Sequence, residues 1–244
     1  MSDQGTAGER TRTIGEMFSR LVPHYDRMNR LMTAGRDGRW RTLAVEASQP
    51  RGAVVLDLGA GTGDLSAEFR RQGAAGVVGF DVSAAMLARA ERKHGADGID
   101  WLQGDALHLP FADASFDVVA SAFVMRNLPD LAGSFAEMAR VLRPGGRLVG
   151  LDITHPPDTV WGSVLRFGFE QGVTRVAGLL SGDRSAYRYL PNSLSGYPEA
   201  DELSRMLESA GLTDVSYRRL SMGAVALHVG RKSEAHLSRG LPSR

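Results

Sequence analysis

The chain has 244 residues, enough for one α/β domain with a sizeable core. Its 29 basic and 28 acidic residues leave a formal charge of +1, too weak a field to recruit nucleic acid. It has no cysteine, which excludes disulfides, thiolate metal sites and a thiol nucleophile.

Residues 1–12 and 232–244 are polar and are expected to fray. The opening MSDQGTAGERTRT lacks the apolar region of a secretory signal. No stretch nears the roughly 18 apolar residues that would span a bilayer, so a cytoplasmic protein is expected. Residues 14–48 read as helical with a break at Thr33-Ala34-Gly35, and Met17, Phe18, Leu21 and Tyr25 form one apolar stripe.

From residue 53 onward short apolar runs alternate with amphipathic segments. Strands are expected over 54–59, 76–82, 99–105, 115–123 and 147–153. Helices are expected over 64–73, 83–95 and 130–146, with Ser83 as an N-cap, Gly95 at a C-terminus, and Pro144 ending the third. Such alternation builds a largely parallel sheet with helices on both faces. A helical insert near 158–180 and a helix over 198–211 follow. The segment 214–232 reads as two strands around Met222-Gly223; with no helix to join them in parallel, they should be antiparallel.

The first βα turn carries Asp57, Gly59, Gly61 and Gly63 in the spacing DxGxGxG. Glycines there permit a tight turn and close approach to a ligand. Asp64 after Gly63 breaks the dinucleotide fingerprint, and no Gly-Lys-Ser/Thr follows. Asp81 ends the next strand, where an acid accepts hydrogen bonds from a ribose diol, and Asp105 ends the one after, where it could hold an adenine amino group. Any one acid could be ordinary; Asp81 could simply be a helix N-terminal acid beside Ser83. Three acids at successive strand ends beside a glycine loop point to an adenosine site.

LDLGAGTGDLS, GFDVSAAML, GDALHLPF and SFDVVASAF resemble the motifs of class I S-adenosylmethionine-dependent methyltransferases. FSRLVPHYDRMNRLMTAG, FVMRNLPD, VLRPGGRLVGLDITHP and the ending GAVALHVG resemble more narrowly the ubiquinone/menaquinone C-methyltransferase family, over roughly residues 14–232. The resemblance implies a Rossmann-like, seven-stranded, mostly parallel sheet with an antiparallel last strand and helices on both faces. It implies a helical cap over 1–50, a cofactor-binding core over 51–155, and a region over 156–232 completing the same domain, with 233–244 a disordered tail. The implied cofactor is S-adenosyl-L-methionine, held by Tyr25, Asp57, Gly59, Gly61, Thr62, Asp81, Val82, Asp105, Ala106 and Ala122. The implied partner is a prenylated quinol, more in keeping with demethylmenaquinol than with a ubiquinone precursor; nucleic acid is not expected, and peripheral membrane contact and a homodimer stay open. The chain departs from the family at Val124, where glycine is usual, at Ala122, where some members carry serine, and at Asp152-Ile153-Thr154-His155-Pro156.

Methylating a hydroquinone carbon requires a stabilised phenolate and a route for two protons. Arg126 and Asn127 are the candidates for that end of the site, and His155 is a candidate base. Arginine is a poor base, so its expected part is electrostatic. The competing reading pairs Arg126 with an aspartate and lets Asn127 cap the next helix. His24 could close over the cofactor, His108 and His228 read as structural, and His94 and His236 as solvated. In the insert, Trp161, Leu165 and Phe169 recur every four residues beside Arg166 and Arg175, the composition of packing or of a groove for a lipid tail. Methylation of another aromatic or polyketide metabolite, and cofactor binding without methyl transfer, stand as alternatives.

Overall fold

A computed structural model describes residues 7–23, 25–155, 194 and 196–234. Three helices precede the sheet: α1 (Ala7–Leu21), α2 (Tyr25–Met32) and α3 (Asp37–Ser48). The break between α2 and α3 falls where it is expected, with Ala34 and Gly35 in left-handed backbone. A further break parts α1 from α2, because Pro23 disfavours helix at Val22 before it. α1 begins at Ala7, inside the segment expected to fray, and its Thr11, Ile14 and Phe18 share the face that covers the cleft described below.

The remaining elements are β1 (Val54–Leu58), α4 (Asp64–Arg71), β2 (Gly76–Asp81), α5 (Ala84–His94), β3 (Asp100–Gln103), β4 (Phe116–Ala122), α6 (Leu131–Val141), β5 (Leu142–Ile153), α7 (Ala200–Ser209), β6 (Leu212–Leu220) and β7 (Val225–Lys232). The seven strands form one sheet in the order β3-β2-β1-β4-β5-β7-β6. β7 runs antiparallel to both β5 and β6, and the other pairings are parallel. The Ser83 hydroxyl caps α5 by accepting the Met86 N–H at 3.2 Å. Gly95 keeps right-handed backbone, and the left-handed residue that ends the turn is Gly98 (φ 65°). α6 stops at Val141, earlier than expected: Leu142 is already extended and pairs with Phe116, and the Pro144-Gly145-Gly146 run forms the irregular start of β5.

Strand alternation sends Leu56 and Leu58 of β1 to one face, against Phe135 and Met138 of α6. Val55 goes to the other, against Val45 of α3 and Phe69 of α4. Burying side chains of this size contributes about 1.5–3 kcal/mol each. The strand order reverses between β1 and β4, so the loops leaving their C-terminal ends diverge and open a crevice.

The helical insert with Trp161, Leu165 and Phe169, together with His24 and His236, lies outside the described residues.

Candidate active site

An open cleft occupies that crevice. Its base is the β1 loop, with Leu58, Gly59 and Gly61, and the β4 loop, with Phe123, Val124 and Asn127. Asp81 and Val82 line it from the end of β2, Asp105 and Ala106 from beyond β3, and α1 and Tyr25 cover it. Gly59 and Val124 meet here: a Cβ on Gly59 would lie 2.3 Å from Val124 Cγ2, and Gly59 has φ 74°. Only glycine fits beneath the valine that this chain carries there.

The loop is braced by Asp81. Its Oδ2 accepts the Gly61 N–H at 2.9 Å and its Oδ1 accepts the Ser83 N–H at 2.8 Å. Burial raises its pKa, and the amide hydrogen bonds oppose the rise. An acid held beside a glycine loop in this way suits two ribose hydroxyls. The Asp105 carboxylate accepts the Leu107 N–H at 3.0 Å, which folds the loop so that the acid and Ala106 reach the cleft.

Three of the ten expected cofactor residues do not line the cleft. Asp57 sits inside β1 on the α4 face, 1 % exposed, with Oδ2 accepting the Ser66 hydroxyl at 2.5 Å. The alternation that sends Leu56 and Leu58 one way sends Asp57 the other. Thr62 donates its hydroxyl to Asp26 Oδ1 at 2.6 Å, tying the glycine loop to α2. Ala122 packs within the apolar clusters on the α3 side of the sheet. Residues not named as expected cofactor contacts complete the lining, among them Ile14, Phe18, Phe80 and Met86; Phe80 and Met86 stand inside GFDVSAAML. For Phe18 the signal was present in the apolar stripe of Met17, Phe18, Leu21 and Tyr25.

Asn127 lines the cleft, and Arg126 turns to its far side. The Arg126 guanidinium forms an ion pair with Asp152 of β5, both side chains nearly buried at 8 % and 3 % exposure. Asp152 also accepts the backbone N–H of Arg126 at 3.1 Å and its neighbour's, Ile153, at 2.8 Å. The cap of α6 is Asp130, which accepts the Gly133 N–H at 3.0 Å, and not Asn127. His155 is directed away from the cleft: its Nε2 lies 3.1 Å from the Tyr197 carbonyl, and its own carbonyl accepts Arg219 Nη1 at 2.7 Å. His228 is buried, stacked on Tyr217 and bonded to the Ala200 carbonyl at 3.0 Å. His94 is not solvated; it is packed near Gly63 between Asp64 and Asp97. His108, by contrast, is exposed.

A family model described as the ubiE/COQ5 methyltransferase family matches residues 6–232. The chain belongs to the ubiE/COQ5 methyltransferase family. Among its relatives, the demethylmenaquinone methyltransferase of Thermus thermophilus is 44 % identical over 218 residues, covering 88 % of this chain and 99 % of the relative. The ubiquinone/menaquinone biosynthesis C-methyltransferase UbiE of Desulfotalea psychrophila is 38 % identical over 221 residues, 90 % of each chain. In structure the chain is similar to a SAM-dependent methyltransferase of Thermotoga maritima, with TM-score 0.65, 19 % identity, and coverage of 90 % and 100 % of the two chains. It is also similar to the cyclase SpnF, with TM-score 0.61, 20 % identity, and coverage of 80 % and 81 %. These two likenesses establish the fold alone; membership of the family makes the chain a methyltransferase that uses S-adenosylmethionine.

Proposed function

We propose that the protein methylates a ring carbon of a reduced prenylated quinone, demethylmenaquinol, in menaquinone biosynthesis. The observation that carries this reading is the cleft at the sheet's reversal point, walled by Asp81 and Asp105 and floored by Asn127, in a chain 44 % identical to a demethylmenaquinone methyltransferase. The residues present fit S-adenosylmethionine: side-chain-free Gly59 and Gly61 for close approach, Asp81 for the ribose, Asp105 and Ala106 for the adenine end, and Tyr25 over the methionine end. Bound there, the cofactor supplies a methyl group on an electrophilic sulfonium.

The protein's part is alignment and charge. Arg126, fixed from both its backbone and its side chain by Asp152, offers a permanent cation to a phenolate oxygen. Ionisation of the phenol would release one proton to water, and loss of the ring proton after methylation would restore a phenolate that takes a proton back, so one proton leaves overall. With the His155 ring engaged by the Tyr197 carbonyl, water is the simpler acceptor. No described helix is long and apolar enough to cross a membrane; a prenylated acceptor would be met by peripheral contact.

The test is transfer of a labelled methyl group to demethylmenaquinol under anaerobic conditions. Arg126→Ala is expected to lower turnover by about 100-fold with cofactor affinity retained. Arg126→Lys, which keeps Asp152 paired, separates this effect from misfolding. Wild-type turnover in both variants would remove the role of Arg126, and no transfer by the native protein would remove the reaction.

A further inference from the structure

A second cavity, of about 950 Å³, lies across Phe123 from the cofactor cleft. Phe123 lines both spaces. Tyr25 on the cleft side and Asn29, which lines the second cavity, stand one turn apart on α2. The two spaces therefore share the Phe123 side chain as a common wall.

The lining of this cavity has a consistent chemistry. Trp40, Phe123 and Val225 give it a buried apolar floor. Arg36, Arg41 and Arg126 line the same space with a single acid, Asp37. Asp37 is paired with Arg41 at 2.5 Å and Asp152, behind the wall, with Arg126, so three arginines against two aspartates leave one excess positive charge beside the aromatic surface. That is the complement of a flat apolar ring whose hydroxyl groups ionise.

Backbone strain is concentrated at the same place. Of the seven described non-glycine residues with positive φ, four line this cavity: Ala34, Phe123, Ser221 and Met222. Strained backbone of this kind persists where the surroundings over-determine it and clusters at ligand clamps. Phe123 is the clearest case, a bulky residue at φ 63° held on Trp40 at a ring separation of 6.3 Å, with the Arg41 guanidinium 5.5 Å from its centroid.

We propose that this second cavity binds the aromatic ring of the methyl acceptor, a hydroquinone-class arene, with Phe123 and Tyr25 flanking the place where the ring carbon comes into direct contact with the methyl group. The apolar substituent of the ring leaves over Met222, which is 67 % exposed on the rim. This inference rests on the methyltransferase reading above and assigns the acceptor to walls that, Phe123 apart, lie outside the cofactor cleft.

The test uses the full chain and a naphthoquinol with a short prenyl tail, handled anaerobically. Ala224→Phe fills the cavity from the β6–β7 turn. Its KM for the quinol is expected to rise at least about tenfold, while its Kd for S-adenosylmethionine by calorimetry stays within about twofold, as for a distant site. A second readout needs no turnover. The quinol is expected to quench native tryptophan fluorescence, and Trp40→Phe to abolish most of that quenching; equal quenching in the two proteins overturns the site even if Ala224→Phe does not fold. A native protein that methylates the quinol, with KM indifferent to Ala224→Phe, refutes the cavity and leaves the reaction standing. One that is quenched through Trp40 yet transfers no methyl group refutes the reaction and leaves the cavity as a ring site.

Discussion

At the scale of single residues, the site depends on side chains that exclude each other's alternatives. Val124 fills the space above Gly59 so fully that a methyl group there would collide with it. Gly59→Ala is therefore expected to weaken S-adenosylmethionine binding by at least about tenfold, from both the collision and the left-handed backbone. Val124→Gly in the same chain is expected to recover part of that loss, because it removes the collision and leaves only the backbone cost. A calorimetric double-mutant cycle with no coupling between the two positions would refute the steric account. Arg126 follows the same logic by charge. Taken alone, its pairing with Asp152 would satisfy a purely structural reading. The further facts are that Asp152 also accepts the Arg126 backbone N–H and that Arg126 lines a cavity beside the cleft. An ion pair so placed is a fixed electrode for an anion as well as a brace.

At the scale of elements, the N-terminal helices are attached to the nucleotide-binding half by few polar groups. Asp26 of α2 accepts the Thr62 hydroxyl from the glycine loop and an ammonium hydrogen bond from Lys93 of α5 at 3.2 Å, and Ser19 of α1 bonds Ser83 at 2.8 Å. Asp26→Ala is expected to loosen α2 over the cleft and to weaken cofactor binding about tenfold, the scale of a charge-assisted hydrogen bond; an unchanged Kd by calorimetry would show that α2 stays closed without the tether. What the sequence made legible follows the same division. The glycine loop, Asp81, Asp105 and the antiparallel ending were readable because each is a local pattern of strand, turn and spacing. The direction of Asp57 hung on which face of β1 each side chain takes, a choice set by what packs on either side. The partner of Arg126 lies 26 residues away on a neighbouring strand, so only the β4–β5 register could reveal it. The apolar stripe of α1 announced a helix, but not that the helix would cover the cleft, because stripes do not name what they pack against.

At the scale of the whole molecule, one buried carboxyl shapes the response to pH. Burial raises the Asp57 pKa from 3.8 to about 7 against the opposing hydrogen bond from Ser66. The folded chain thus holds this proton more tightly than the unfolded chain, and ionisation costs stability. That cost is absent below 3.8, grows as pH rises through the window, and is complete above about 7. Denaturant midpoints are expected to fall for the native protein between about pH 4 and pH 7, and Asp57→Asn to flatten that fall. Parallel profiles for the two proteins would show that Asp57 titrates normally.

The reversed strand β7 has a consequence for the order in which the protein can be made. Because β7 inserts between β5 and β6, the turn at Ser221–Gly223 returns the last-synthesised strands to the helices that left the ribosome first. Every described residue of the cofactor cleft has emerged by Pro129, whereas the second cavity lacks a wall until Val225 has followed. The stretch that carries the described cleft residues is thus made before the stretch that closes the second cavity, and β5 comes between them to fix the β4 loop through Leu151 and Asp152.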